Sequence, residues 1–133
     1  MLRRIAAVLL GVITAFVLVA VIQKLGHSVY PPPPGLSLDD PETWKAYVAE
    51  LPPGPFFFVL AAWALGTLGG GFVSARIAQE KPLLYALVVG AVVMIASIAQ
   101  LVAIPHPIWF TIAAILLIPA AAYAAARLAP APA

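Results

Sequence analysis

Residues 83–104 read LLYALVVGAVVMIASIAQLVAI and carry no charged side chain over 22 positions. A helix of about 20 residues crosses the ~30 Å hydrocarbon layer of a bilayer. Lipid offers no hydrogen-bond partner to the backbone, so an apolar segment of this length must satisfy its amides internally as an α-helix. Apolar and polar side chains do not alternate here, as they would in a strand of a membrane β-barrel. This stretch therefore predicts a membrane-spanning helix.

Three other charge-free apolar stretches occupy residues 5–22, 56–75 and 108–126. The first exceeds the 7–15 residues of a signal-peptide core, so we expect it to be retained as a helix. Together the four stretches predict an all-α fold, a polytopic membrane protein built as a four-transmembrane-helix bundle in a single membrane domain, 1–133. The predicted spans are about 5–24, 55–78, 82–104 and 107–127.

The composition excludes several classes of protein. Of the 133 residues, 64% are hydrophobic and 9% are charged, whereas a soluble domain carries about a quarter charged residues. A soluble enzyme is therefore excluded. The net charge of +2 rests on seven basic and five acidic residues, too few for a nucleic-acid-binding face. There is no cysteine, hence no disulfide framework and no thiolate metal site. We expect no nucleic-acid partner and no cofactor.

The basic residues are distributed unevenly between the two sides of the predicted bundle. One side collects five of the seven, namely Arg3, Arg4, Arg76, Lys81 and Arg127. The other side holds Lys24 and Lys45 together with four of the five acids. Cytoplasmic loops carry an excess of Lys and Arg. The pattern therefore predicts a multi-pass membrane protein with both termini in the cytoplasm.

The loop at 25–54, which this orientation places outside the cytoplasm, contains signals for one short helix. The run 31–34 is Pro-Pro-Pro-Pro, which favours an extended polyproline rod. Asp40 before Pro41 is typical of a helix start. The apolar side chains that then recur on one helical face are Trp44, Tyr47, Val48 and Leu51. We predict an amphipathic extracytoplasmic helix at about 41–51, which rests on the outer leaflet, caps the bundle or forms a lid over a cavity.

Gly66, Gly70 and Ser74 recur every four residues in the second span, and we call them the small-residue strip. Small residues at this spacing allow a second helix to approach until the backbones nearly touch. The partner is either another span of the same chain, for example the 86–90 or the 121–125 edge, or a second copy of the protein. The sequence leaves these alternatives open.

The spans contain no Asp, Glu, Lys or Arg, which argues against an ion-coupled carrier. The polar and amphipathic side chains near the outer membrane surface are Gln23, His27, Trp63, Gln100 and His106. They are the candidate ligand-binding residues, because apolar walls with a few polar groups are typical of a ligand site. Two alternatives remain. One is a set of interfacial side chains that bond to headgroups, and the other is a metal site that combines His27 and His106 with one carboxylate, from Asp39, Asp40, Glu42 or Glu50.

Three segments resemble a group of small bacterial four-span membrane proteins: 23–35 (QKLGHSVYPPPPG), 63–70 (WALGTLGG) and 104–109 (IPHPIW). That group shares a Gly-His-x-x-Tyr-Pro-Pro segment, a Gly-rich second span and a Pro-His-Pro turn, and it often has an acid where this chain has Gln23. The resemblance implies the four-span fold and a bacterial inner-membrane location. It implies no activity, substrate or catalytic residue.

The functional expectation is a small integral membrane protein that binds a lipid-like ligand or a larger membrane partner through its outer half. The alternative is a minimal channel or carrier that forms a homo-oligomer through the small-residue strip. The third hypothesis is a membrane enzyme or metal site that uses His27 and His106. No residue is assigned as catalytic or as a metal ligand, and binding is favoured over catalysis.

The topology is testable with reporter fusions. A reporter enzyme that is active only outside the cytoplasm should be inactive when fused after Ala133 and active when inserted after Gly35, because the inner basic residues hold both termini inside. A cytoplasm-specific reporter at the same two positions should give the opposite pattern. Extracytoplasmic activity after Ala133 would contradict the predicted orientation.

Overall fold

The computed structural model describes residues 1–31, 40–50, 52–103 and 106–129, apart from the side chain of Trp44. Five α-helices follow one another along the chain, and no strand occurs in these ranges. They are α1 (Leu2–Val29), α2 (Pro41–Ala49), α3 (Pro53–Ala78), α4 (Pro82–Ala103) and α5 (Ile108–Leu128). We call the end of the bundle that carries α2 the outer end and the opposite end the inner end.

Four of these helices, α1, α3, α4 and α5, are long and apolar enough to cross a membrane. The predicted all-α class with four membrane helices is therefore confirmed. The main difference is in α1, which has 28 residues rather than the 20 of the predicted span. At 1.5 Å per residue it is about 42 Å long and exceeds the ~30 Å hydrocarbon layer. The helix is therefore longer than the hydrocarbon layer is thick.

The short helix α2 begins as the sequence predicts. The side chain of Asp40 accepts hydrogen bonds from the Glu42 amide (3.1 Å) and the Thr43 hydroxyl (3.0 Å), and Pro41 takes the first helical position. The helix ends at Ala49, two residues before the predicted end. Leu51, an expected apolar position, lies outside the described residues, as do residues 32–39, which include most of the proline run. Val48 is buried in the main apolar core. This contact docks α2 on the bundle rather than on lipid alone.

The central helix of the bundle is α3, which packs against α1, α4 and α5. Helices α4 and α5 also pack against each other, while α1 touches α4 over a small area and does not touch α5 within the described ranges. The order of the helices around α3 therefore places α1 on one side and α5 on the other. Side chains that start from α1 and α5 are separated by the central helix.

The small-residue strip faces α1 of the same chain. A Cβ atom added to Gly70 would overlap the Gly11 carbonyl oxygen and lie 2.7 Å from the Ala15 Cβ. A Cβ atom on Gly66 would lie 2.8 Å from the Ala15 carbonyl oxygen, and Ser74 packs directly against Gly11. Backbone meets backbone along this contact, which is the geometry that small residues at four-residue spacing permit. The partner of the strip is therefore α1, a span that the sequence argument did not single out.

The edges of α4 and α5 that were considered as partners pack against a different face of α3. A Cβ atom on Gly71 would lie 3.0 Å from the Ala125 Cβ and 3.4 Å from the Ala86 Cβ. A Cβ atom on Gly90 would lie 3.0 Å from the Ala122 Cβ. Small residues thus bring three helices close to α3, with α1 on one face and the α4–α5 pair on another.

At the inner end, an ion pair links α1 to the turn between α3 and α4. The Arg4 Nε donates to the Glu80 carboxylate at 2.9 Å, and the Tyr85 hydroxyl donates to the same oxygen at 3.3 Å. Both charged side chains are solvent-exposed by more than a third, so the pair contributes little to stability. The packing of small residues, rather than this ion pair, holds α1 in place.

The packing predicts opposite outcomes for two neighbouring glycines. Gly70→Ala should lower the free energy of unfolding by about 1–3 kcal/mol, because its methyl group meets fixed backbone atoms of α1. Gly69→Ala is the control, since its methyl group would meet only the flexible end of Leu18 and alanine is the better helix former. Thermal unfolding of the two variants in detergent measures the difference. Equal stabilities would show that the α1–α3 contact is not close-packed.

Candidate functional site

An aromatic cluster at the outer end joins α3 to α5. We define it as Phe56, Trp63, His106, Trp109 and Phe110. The His106 ring stacks on Phe110 with centroids 4.8 Å apart and meets the Phe56 ring edge-on at 5.9 Å. Trp63, which is 4% exposed, meets Phe110 at 5.3 Å. Such pairs contribute about 0.5–1.5 kcal/mol each beyond the area they bury. The cluster is therefore a packing unit that includes two of the predicted ligand-binding residues.

The other three candidate residues lie outside this cluster. Gln23 is half-buried on α1, His27 is exposed near the end of the same helix, and Gln100 is exposed near the end of α4. The two histidines approach the outer end from elements on different sides of α3. Trp63 and His106 thus both contact Phe110, whereas His27 is not part of the aromatic cluster.

The metal hypothesis gains no support from the described residues. Within 1–31, 40–50, 52–103 and 106–129, no group of three His, Cys, Asp or Glu side chains is placed to hold a metal ion. Asp39, one of the carboxylates considered, lies outside these ranges. Two histidines alone do not supply the three protein ligands that a catalytic zinc site uses.

A pocket lies at the outer end where α1 ends, α2 passes and α3 begins. We call it the outer pocket. Its volume is about 430 Å³, and its lining residues are Val29, Tyr30, Pro31, Tyr47, Glu50, Pro52 and Pro55. Ligand sites in proteins occupy about 300–1,000 Å³ and combine apolar walls with a few polar groups. None of the five candidate residues lines this pocket, so the structure points to a site that the sequence argument missed.

One wall of the outer pocket is fixed by a close contact between the end of α1 and the start of α3. The Tyr30 hydroxyl occupies the space that a Cβ atom on Gly54 would need. The Tyr30 ring meets Phe58 edge-on at 6.0 Å, and Gly26 allows α1 to lie against the same phenylalanine. The Tyr30 amide closes α1 by donating to the Gly26 carbonyl at 2.8 Å. Tyr30 is therefore held in position before any ligand arrives.

The second wall comes from α2. Val48 anchors this helix in the core, and its neighbours Tyr47 and Glu50 line the outer pocket. The prediction had Tyr47 on the apolar face of α2 and left open whether that face rests on the outer leaflet, caps the bundle or forms a lid over a cavity. One sequence signal could have predicted the contact of Tyr30 with Gly54 in the first wall. Gly54 stands within Pro52-Pro53-Gly54-Pro55, and a glycine among prolines often marks the close approach of another group.

Comparisons with known proteins add nothing to this geometry. No protein-family model, no curated protein and no solved structure matches the chain. The outer pocket and the helices that build it are therefore the features from which a function can be inferred.

The two histidines should differ in their effect on stability. His106→Ala should lower the free energy of unfolding by about 1 kcal/mol or more, because it removes ring contacts with Phe56 and Phe110. His27→Ala is the matched control and should change it by less than about 0.5 kcal/mol, since this histidine is exposed. The double variant should show the sum of the two changes. Strong non-additivity would indicate that the histidines share a site after all.

Proposed function

We propose that this protein is an inner-membrane protein, with both termini in the cytoplasm, that binds a lipid-like amphiphile in the outer pocket. The observation that carries the proposal is the position of this pocket. It is formed where α1 and α3 reach the outer end of a bundle whose four long helices can span a membrane. A head group in the pocket and a chain in the bilayer would then occupy two environments that lie side by side.

The surface of α1 offers a path for the chain of such a ligand. Val29 lines the outer pocket, and Leu25 and Val21 follow at four-residue intervals along the same helix. All three are exposed, at 60%, 56% and 52%. Residues four apart lie on one face of a helix. An acyl chain that descends from the pocket would therefore run along a continuous apolar face of α1.

The lining of the outer pocket favours binding over catalysis. Its described residues include two phenols, three prolines, one valine and one carboxylate. The described lining residues include no histidine, the most frequent general base, and no serine, cysteine or lysine nucleophile. The arrangement suits recognition of an amphiphile by shape and by a small number of polar contacts.

The channel alternative loses the contact on which it was based. An oligomer that forms through Gly66 and Gly70 would need their face to be free, and that face packs against Gly11 and Ala15 of α1. Assembly through the strip would first require α1 to leave the bundle. Nothing in the described residues favours that rearrangement.

Ligand binding is tested by filling the outer pocket. Val29→Trp should displace a co-purifying amphiphile, because the indole would project into the space beside Tyr30 and Tyr47. Val102→Trp is the matched control, since Val102 is also an exposed valine near the outer end, on α4 and away from the lining. Native mass spectrometry of the purified proteins counts the bound lipids. We expect native protein and V102W to retain a lipid that V29W has lost.

Equal lipid retention by all three proteins would contradict the proposal. The proposal would also be contradicted if a second protein, and no lipid, co-purified with the native protein and was lost in V29W. That result would indicate a larger membrane complex.

A further inference from the structure

We infer that the outer pocket selects an amphiphile whose head group carries an ammonium ion, as phosphatidylethanolamine does. This inference rests on the proposed function and adds the chemical class of the ligand. Three independent features of the pocket favour a cation: the charge of its lining, the helix ends that meet there and the aromatic rings that flank it.

The charge of the lining is negative. Glu50 is the one charged side chain among the described lining residues, and Lys, Arg and His are absent from them. The ion pair that involves α2 uses a different acid, Glu42, whose carboxylate lies 4.0 Å from the Lys45 amine. Glu50 therefore lines the pocket without a lysine or arginine partner for its carboxylate among the described residues.

The helix ends add to this negative potential. Val29 is the last residue of α1 and Glu50 follows the last residue of α2, so two helix C-termini meet at the pocket. A helix carries about half a negative charge at its C-terminus because its last carbonyl groups lack intrahelical partners. Cations are stabilised at such ends.

The single N-terminus at the pocket is a poor site for anions. Helix α3 begins Pro53-Gly54-Pro55, and proline has no amide hydrogen. Two of the first three residues of α3 therefore donate no hydrogen bond, and anions bind helix N-termini through these amides. The positive end of α3 compensates little for the two negative ends opposite it.

The aromatic rings provide the third feature. Tyr30 and Tyr47 line the pocket together with Glu50. An ammonium ion over the face of an aromatic ring gains about 0.5–1 kcal/mol at exposed sites. Two phenol rings beside one carboxylate suit the ammonium end of a phosphoethanolamine group. The amine would then lie toward Glu50 and the phosphate toward solvent.

The test compares two lipids with identical acyl chains, phosphatidylethanolamine and phosphatidylglycerol, which differ in the ammonium group. The full-length protein in detergent is titrated with each lipid and binding is read by native mass spectrometry. Binding that V29W abolishes is counted as pocket binding, which removes lipid held by the basic inner end. We expect phosphatidylethanolamine to occupy the pocket at least about threefold more tightly, as one exposed charge interaction allows.

Glu50→Gln isolates the contribution of the carboxylate while keeping the shape of the side chain. It should weaken pocket binding of phosphatidylethanolamine by about two- to fivefold, and it should leave that of the anionic phosphatidylglycerol unchanged or stronger, because a like charge is removed. Glu42→Gln is the matched control on the same helix, because Glu42 is exposed and does not line the pocket. It should leave both affinities unchanged.

The outcomes separate this inference from the proposed function. Equal pocket binding of the two lipids, or no effect of E50Q, would overturn the ammonium selectivity and leave lipid binding in place. No pocket binding of either lipid would overturn both. Displacement of the lipid by an equal concentration of soluble phosphoethanolamine would show that the acyl chain is not recognised and would overturn a lipid as the ligand.

Discussion

The close approach of α1 and α3 is the constraint on which the rest of the structure depends. Gly70 meets the Gly11 carbonyl and Gly66 meets the Ala15 carbonyl, with no room for even one methyl group. Between lipid-exposed helices there is no hydrophobic driving force comparable to that in water, so van der Waals contact must supply the attraction. That contact is largest when two backbones touch. Small side chains are thus what binds the first helix to the bundle.

This contact near the middle of α1 and α3 also determines the geometry at the outer end. With α1 fixed against α3, Gly26 meets Phe58 and the next turn of α1 places Tyr30 over Gly54. The wall of the outer pocket is therefore a consequence of helix packing some distance below it. Helix α2 completes the pocket because Val48 fixes it to the core and so positions Tyr47 and Glu50. The candidate site is a product of three segments that are distant in the sequence or joined only by a loop.

The features predicted from the sequence are those that depend on neighbouring residues. A charge-free run of the right length specifies a membrane helix, and Asp40 before Pro41 specifies a helix start. The partner of Gly70 was not predicted, although Ala7, Gly11 and Ala15 repeat at the same four-residue interval in α1. The position of a polar residue along its span follows from the sequence, but that position does not determine the direction in which the side chain points. Hence His106 lies among aromatic rings while His27 is exposed on α1.

The glycines of α3 have a mechanical consequence. Gly66, Gly69, Gly70 and Gly71 fall within six residues at the middle of the central helix, where a chain without side chains resists bending least. The stiffness of α3 is therefore supplied from outside, by the helices that clamp it on both faces. If α1 were loosened, α3 would lose the packing on one of its faces and would bend more easily at these glycines.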